Sequence, residues 1–356
     1  MNRLEELVEW LPESRVGALI TSPVTREYLL GFSEGKGVLI VSKERCVLYV
    51  SPEVFEKAKE RVKDCRVIEM QHMRTQLLNL LLSVNVSKLF VEPERMTVSE
   101  FETYRECLHF ADIYTSDDLS RKLTLMRSVK TAEEIACIEK AQSIADAAYH
   151  RFLSDVRRGM TERQVAGLLG SHIIGCGADE LAFPVSASSG ENSAVPGAPN
   201  TDRRLAVGDF LVVRFGARWR GYCSQTTRTI AIGDVSERMK EAYNAVSSAC
   251  YDAVDVLAAG RGTKLADSVA RSTLNSWSGL DKFCCEQMGH GVGLEPCEFP
   301  SIDFDSRVVL RTNMVVTVAP AVRIPKEFGV CIEDMVLITE DGSKILSNTT
   351  KKLVQI

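Results

Sequence analysis

The sequence predicts an α+β chain in two parts, a smaller α/β domain over residues 1–125 and a larger domain over residues 126–356. Three observations predict it. Strand-like and helix-like segments alternate in the first third. The texture changes near Leu125. Beyond that point long amphipathic helices are separated from β-rich stretches, which describes segregated layers rather than a parallel dinucleotide-binding sheet.

In the first part, the short apolar runs at 16–21, 38–41, 46–51, 67–70 and 88–92 suit strands. Helix-patterned pieces lie between and after them at 52–62, 72–83 and 98–110. That alternation predicts a sheet with covered faces. No cluster of His, Cys or carboxylate residues marks a function there. In the second part, Thr131 followed by Glu134 is a capping-box signature opening a helix to about residue 152. Thr161 with Gln164 repeats it before a helix ending near residue 175. Further helices are expected at 236–257 and 263–277, and strands at 210–217, 222–232, 313–318 and 330–339.

The bulk numbers exclude several classes. With 356 residues, 45% hydrophobic and 26% charged, the chain can bury two ordinary cores and shows no disorder signature. A formal net charge of -5 argues against nucleic acid and anionic membranes as partners. No apolar run approaches the ~20 residues needed to span a bilayer, and no secretory h-region opens the chain. Eleven cysteines, an odd count with an adjacent Cys284-Cys285 pair, predict reduced thiols in a cytoplasm.

From Lys130 onward, seven motifs come in order. Residues 180–190 read Glu-Leu-Ala-Phe-Pro-Val-Ser-Ala-Ser-Ser-Gly, and 195–199 read Val-Pro-Gly-Ala-Pro. Gly208-Asp209 opens a strand, and 221–229 read Gly-Tyr-Cys-Ser-Gln-Thr-Thr-Arg-Thr. Met-Gly-His-Gly-Val-Gly-Leu follows at 288–294, then Val-Thr-Val-Ala-Pro at 316–320 and Gly-Val-Cys-Ile-Glu-Asp-Met-Val at 329–336. This order resembles the aminopeptidase P, prolidase and methionine aminopeptidase family, with creatinase as a metal-free cousin. The resemblance implies a pita-bread C-terminal domain preceded by a creatinase-type N-terminal domain, and a homodimer.

In active members of that family two Asp, one His and two Glu bind two divalent metals, which activate a shared water and polarise the scissile carbonyl. Carried over position by position, the first Asp falls at Arg214 and the second at Gln225. The His falls at His290, the first Glu at Ala319 and the last at Glu333. The two auxiliary proton-shuttling histidines fall at Gly197 and Cys297, and the Arg two residues before the last Glu at Cys331. Only His290 and Glu333 match.

Arg214 keeps its charge at any working pH and would repel a cation. Two unit charges 4 Å apart interact by about 4 kcal/mol at an effective dielectric of ~20, enough to outweigh a weak ligand. The site is therefore expected to hold no metal, and the chain to be a non-catalytic member kept as a binding or scaffold protein, with a peptide or small molecule as its ligand. The alternative is an active Xaa-Pro dipeptidase or aminopeptidase with two Mn, Co or Zn ions. Creatinase-like metal-free hydrolysis would need a proton shuttle that Gly197 does not offer. Arg214 either pairs with Glu333 in the emptied cavity or swings out to solvent. His290 either serves structure or joins Cys297, Cys331 and Glu333 in a thiol site, with one Zn²⁺ or with Cys297 as nucleophile.

Overall fold

The computed structural model describes residues 2–277 and 280–356. The chain divides into two compact units, Met1–Arg127 and Ser128–Ile356.

The first unit is built on six strands: β1 (Val16–Ile20), β2 (Gly37–Ser42), β3 (Cys46–Val50), β4 (Arg66–Glu69), β5 (Lys88–Phe90) and β6 (Asp112–Tyr114). They form one mixed sheet in the order β4-β3-β2-β1-β5-β6, antiparallel at its centre and parallel toward both edges. Every residue of β1 and β2 is buried, which explains why they read as continuous apolar runs without alternation. The helices are α1 (Arg3–Trp10), α2 (Pro23–Leu30), α3 (Phe55–Arg61), α4 (Met73–Ser83), α5 (Val98–Cys107) and α6 (Asp118–Ser128). Leu77 and Leu81 of α4 and Tyr104 of α5 pack with Leu19, Ile40 and Leu89 of the sheet in one core.

The second unit opens with α7 (Ala132–Asp155) and α8 (Glu162–Gly175), and both begin in capping boxes, at Thr131 with Glu134 and at Thr161 with Gln164. Their buried faces, with Ala148, Phe152, Val165 and Leu169, share a core with Val213, Phe215 and Ile230 of the adjoining sheet. Eight strands follow, forming one three-stranded sheet (β11-β10-β7) and parts of two larger ones: β7 (Glu180–Leu181), β8 (Ser186–Ser189), β9 (Phe210–Phe215), β10 (Ala217–Trp219), β11 (Tyr222–Cys223), β12 (Thr226–Ala231), β13 (Gln287–Gly291) and β14 (Glu298–Asp303). The rest are β15 (Val315–Val318), β16 (Ala321–Ile324), β17 (Phe328–Cys331), β18 (Asp334–Ile338), β19 (Ser343–Ile345) and β20 (Val354–Gln355). The larger sheets run β20-β12-β9-β8 and β14-β13-β15-β18-β19. Helices α9 (Glu237–Asp255) and α10 (Thr263–Ser276) cover a second core containing Val246, Ala270, Val316 and Val336.

Three expected strands are each divided. The run 210–217 is split between β9 and β10, 222–232 between β11 and β12, and 330–339 between β17 and β18. The second and third breaks fall at Gln225 and Glu333, so two side chains of interest sit at strand ends, where the backbone re-aims them.

Candidate functional site

A cavity of about 450 Å³ opens in the second unit, and the backbone brings five separate segments to it. Arg214 comes from β9 and Gln225 from the turn before β12. His290 comes from β13, Ala319 from just after β15, and Glu333 from between β17 and β18. All five line the cavity, as do Gly197 and Cys331. Register explains the convergence. Arg214 lies opposite Thr227 in the β9–β12 pair, and Thr227 forms an isolated bridge with Glu333. The Glu333 N–H donates to the Thr227 carbonyl at 3.0 Å, which locks the two segments together. Glycines flank His290 because a Cβ at Gly289 would lie 2.0 Å from the Thr317 carbonyl oxygen, and one at Gly291 would lie 2.2 Å from that of Phe299.

Gln225 is the hub of the site. Its Oε1 accepts from Arg214 Nη2 at 3.0 Å, and its Nε2 donates to Glu333 Oε1 at 2.6 Å. The same Nε2 lies 3.1 Å from His290 Nε2. An amide that donates there leaves His290 with its proton on Nδ1, and Nδ1 sits 3.0 Å from the Gly291 carbonyl that would accept it. Glu333 is 2% exposed, and its second oxygen accepts from Thr227 Oγ1 at 2.5 Å. Arg214 therefore does not pair with Glu333: Gln225 stands between them, and the guanidinium lies 4.6 Å from the Phe183 ring centre. Arg214 is exposed, as the solvent reading has it, while Gln225 and Phe183 hold its guanidinium at the cavity wall.

Cys297 is exposed and near the His290 ring. Its interaction with His290 holds the Cys297 thiol below its ordinary value against the opposing effect of partial burial, and the Arg214 charge adds to it. For His290, burial acts to lower the pKa, but Cys297 and Glu333 together raise it. Cys331 is different, since burial pushes its thiol up to about 12 and Glu333 adds to this. A residue that sequence reasoning missed is Arg323 on β16, which lines the same cavity. Its segment was not read as a strand, so its direction was not legible.

The far wall of the cavity is held by a second polar network. Glu162, at the start of α8, accepts from the backbone N–H and hydroxyl of both Ser189 and Thr201, and from Asn192 Nδ2. Asn200 bridges the Val185 carbonyl and the Ala187 N–H at 2.9 and 2.8 Å. These bonds fix the loop that carries Gly197 and Pro199 to the cavity.

A pair of divalent cations makes a specific demand on the donor set. Oxygen-rich bridging carboxylates are needed, and this cavity presents a guanidinium, an amide already committed on both sides and a methyl group beside its one carboxylate. Among the described residues no three His, Cys, Asp or Glu side chains gather closely enough to hold a metal ion. The residues present do not fit a dinuclear centre.

Comparison with known proteins places the chain in context. The family model described as Metallopeptidase family M24 matches residues 136–340, and that of the Creatinase/Prolidase N-terminal domain matches residues 3–129. The chain is 35% identical over 354 residues to a protein named Xaa-Pro dipeptidase from Pyrococcus furiosus, covering 99% of each. The solved structure of an Xaa-Pro dipeptidase from Bacillus anthracis superposes with a TM-score of 0.94 at 30% identity, covering 99% of both chains. That of an X-Pro aminopeptidase from Thermotoga maritima gives 0.91 at 29% identity, covering 100% of both. The architecture is thus a pita-bread domain preceded by a creatinase-type domain.

These similarities correct three expectations. Relatives named Xaa-Pro dipeptidase along the whole length overturn the expectation of a non-catalytic binding or scaffold protein, and with it that of a chain that is not an enzyme. A match to a metallopeptidase family implies divalent-metal dependence and overturns the expectation that no cofactor is involved. The expectation failed because it weighed five ligand positions and gave no weight to similarity spread along the whole chain.

Proposed function

Since this chain belongs to metallopeptidase family M24, we propose that it acts on short peptides with proline in the second position, as an Xaa-Pro dipeptidase or aminopeptidase. The observation that carries this reading is the 35% identity to an Xaa-Pro dipeptidase over 99% of both chains. The cavity supports it, because about 450 Å³ lies within the roughly 300–1,000 Å³ range typical of small-ligand sites. Its walls are rigid where Glu162 and Asn200 tie down the 185–201 loop, so the shape is set before a peptide arrives.

When bound, divalent metals supply this family with an activated water and a polarised carbonyl. We infer that the positions for them are altered in this chain, with Arg214, Gln225 and Ala319 where the resemblance calls for two Asp and one Glu. What the chain's own residues do is narrower. Gln225 fixes the His290 tautomer and separates Arg214 from Glu333. The eleven free cysteines support a reducing, cytoplasmic setting. A homodimer follows from the resemblance, and light scattering would read it.

The test is hydrolysis of Xaa-Pro dipeptides against Xaa-Ala controls, in metal-depleted buffer and with Mn²⁺, Co²⁺ or Zn²⁺ added. Cleavage that prefers proline is the expected result, and the metal arms read whether the family's metal dependence extends to this chain's site. No release of proline under any of these conditions would overturn the reading.

A further inference from the structure

The charges facing the cavity do not balance. Two guanidiniums, Arg214 and Arg323, line it together with a single carboxylate, Glu333. Glu333 is already occupied, since one oxygen accepts from Gln225 and the other from Thr227. Counting guanidiniums and carboxylates alone, two Arg against one Glu leave a formal charge of +1 on the wall. A smaller cavity of about 100 Å³ beside the first is also lined by Arg214 and Arg323, so the positive surface continues across both.

Neither arginine has a carboxylate within ion-pairing distance among the described residues. Arg214 uses one of its five N–H donors, on the Gln225 amide oxygen, and leans on the Phe183 ring. That contact fixes the plane of the guanidinium and leaves the remaining donors unclaimed by protein among the described residues. Arg323 lies opposite Gly329 in the β16–β17 hairpin, so no neighbouring side chain covers it across the strand pair. No hydrogen bond to a protein acceptor holds it among the described residues. Elsewhere in this unit the partly or fully buried arginines are paired: Arg228 with Asp334, Arg203 with Asp209 and Arg271 with Asp267. Half-buried Arg323 departs from that pattern and Arg214 is exposed, and both line the cavity where a ligand would enter.

A planar guanidinium matches a carboxylate through two parallel N–H···O bonds, which an ammonium cannot do. A zwitterionic dipeptide carries one positive and one negative end and brings no net charge. A dipeptide with an acidic side chain brings two carboxylates and a net charge of -1, which matches the wall. We propose that Arg214 and Arg323 make this cavity selective for acidic short peptides, those carrying a Glu or Asp side chain in addition to the terminal carboxylate. The proposal rests on the peptidase reading for the peptide class alone; the charge preference stands on the two arginines. Lys-containing peptides are disfavoured for the same reason.

The experiment is calorimetric titration of the full chain, in metal-depleted buffer so that no turnover consumes the peptide, with Glu-Pro, Gln-Pro, Glu-Ala and Gln-Ala. Each Glu peptide and its Gln counterpart are close in shape and differ in one charge. At about 50 mM salt the Glu member of each pair is expected to bind about tenfold tighter, equivalent to ~1.4 kcal/mol. At about 500 mM salt the ratio should shrink severalfold, because a partly exposed pair is screened. Arg323→Gln should reduce the ratio to about threefold or less, and Arg323→Lys should restore part of it. If Arg323→Gln fails to fold by circular dichroism, the salt response of the unaltered protein and the Lys variant decide. Equal binding of Glu-Pro and Gln-Pro overturns charge selectivity and leaves the proline reading standing. Equal binding of Glu-Pro and Glu-Ala, both tighter than their Gln counterparts, keeps charge selectivity and removes the proline reading. Absence of binding by all four peptides overturns the proposal.

Discussion

Thr227 and Arg228 are neighbours on β12, and Glu333 and Asp334 are neighbours beside them, yet one member of each pair faces the cavity and the other faces away. Alternation along a strand makes this unavoidable. On the side away from the cavity, Arg228 is 1% exposed and spends every donor. Nε reaches the Thr350 carbonyl, Nη1 the Thr227 and Glu333 carbonyls, and Nη2 the Thr349 carbonyl and Asp334 Oδ1. Lys351 closes the cluster on Asp334 Oδ2 at 2.5 Å. On the cavity side, among the described residues, Arg214 makes one bond to an amide and Arg323 none to protein. The same residue type thus serves structure where it is sealed and satisfied, and faces a ligand where it is not. The difference lies in the partners rather than in the side chain.

Removing a partner from the sealed cluster should be the largest effect. Asp334→Ala leaves Arg228 buried with only carbonyl acceptors, although burial opposes its charge and Asp334 is what holds its pKa above the ordinary value. Stranding one member of a buried pair costs about 3–5 kcal/mol. Urea denaturation followed by tryptophan fluorescence should show the midpoint fall accordingly. A loss below about 1 kcal/mol would mean that the carbonyls suffice, and the contrast between the two faces would lose its basis.

A buried carboxylate in the first unit sharpens the same point through pH. Glu92 is 5% exposed, and its Oε1 accepts from Thr25 at 2.7 Å while Oε2 has no hydrogen-bond partner among the described residues. Burial raises its pKa to about 7, and the Thr25 bond offsets only part of that. Because the folded value lies above the unfolded one, the native state binds the extra proton. Its contribution is complete below about pH 4.5 and is lost as pH rises through about 7. Glu92→Gln should therefore be more stable than the unaltered chain by on the order of 2 kcal/mol near pH 8.5, and about equal to it near pH 4. Thermal melts at the two pH values would check this. A gain that is the same at both would show that ionisation is not the cause.

Much of this frame was legible in the sequence. Thr131 with Glu134 and Thr161 with Gln164 close the capping boxes of α7 and α8, because a cap needs only two residues at a fixed spacing. The residues lining the cavity could be placed through motif order, since the turns that carry Gln225 and Glu333 keep their Gly and Pro punctuation. What escaped depended on direction rather than on identity. Strand β13 has glycines at two of its five positions and shows no apolar alternation. Strand β16 was not recognised either, so Arg323 passed unnoticed. The Arg214–Gln225–Glu333 chain of bonds could not be read because spacing tells which segments meet, not which side chain stands between two others. Activity was misread for a related reason: five positions were allowed to outweigh similarity along the entire chain.

The smallest expected effect on stability belongs to Arg323, and its smallness is what the comparison requires. Its guanidinium makes no ion pair among the described residues, its strand partner is Gly329, and the residue is only half-buried. Arg323→Ala removes no satisfied bond and strands no buried charge, so the change should stay within about 0.5 kcal/mol. It should be slightly favourable at low salt, because it relieves repulsion with Arg214, and neutral at high salt. Urea midpoints at the two ionic strengths measure this. A loss of 2 kcal/mol or more would place Arg323 with Arg228 as a structural arginine, and the distinction between a sealed face and a receptive one would then not hold for this residue.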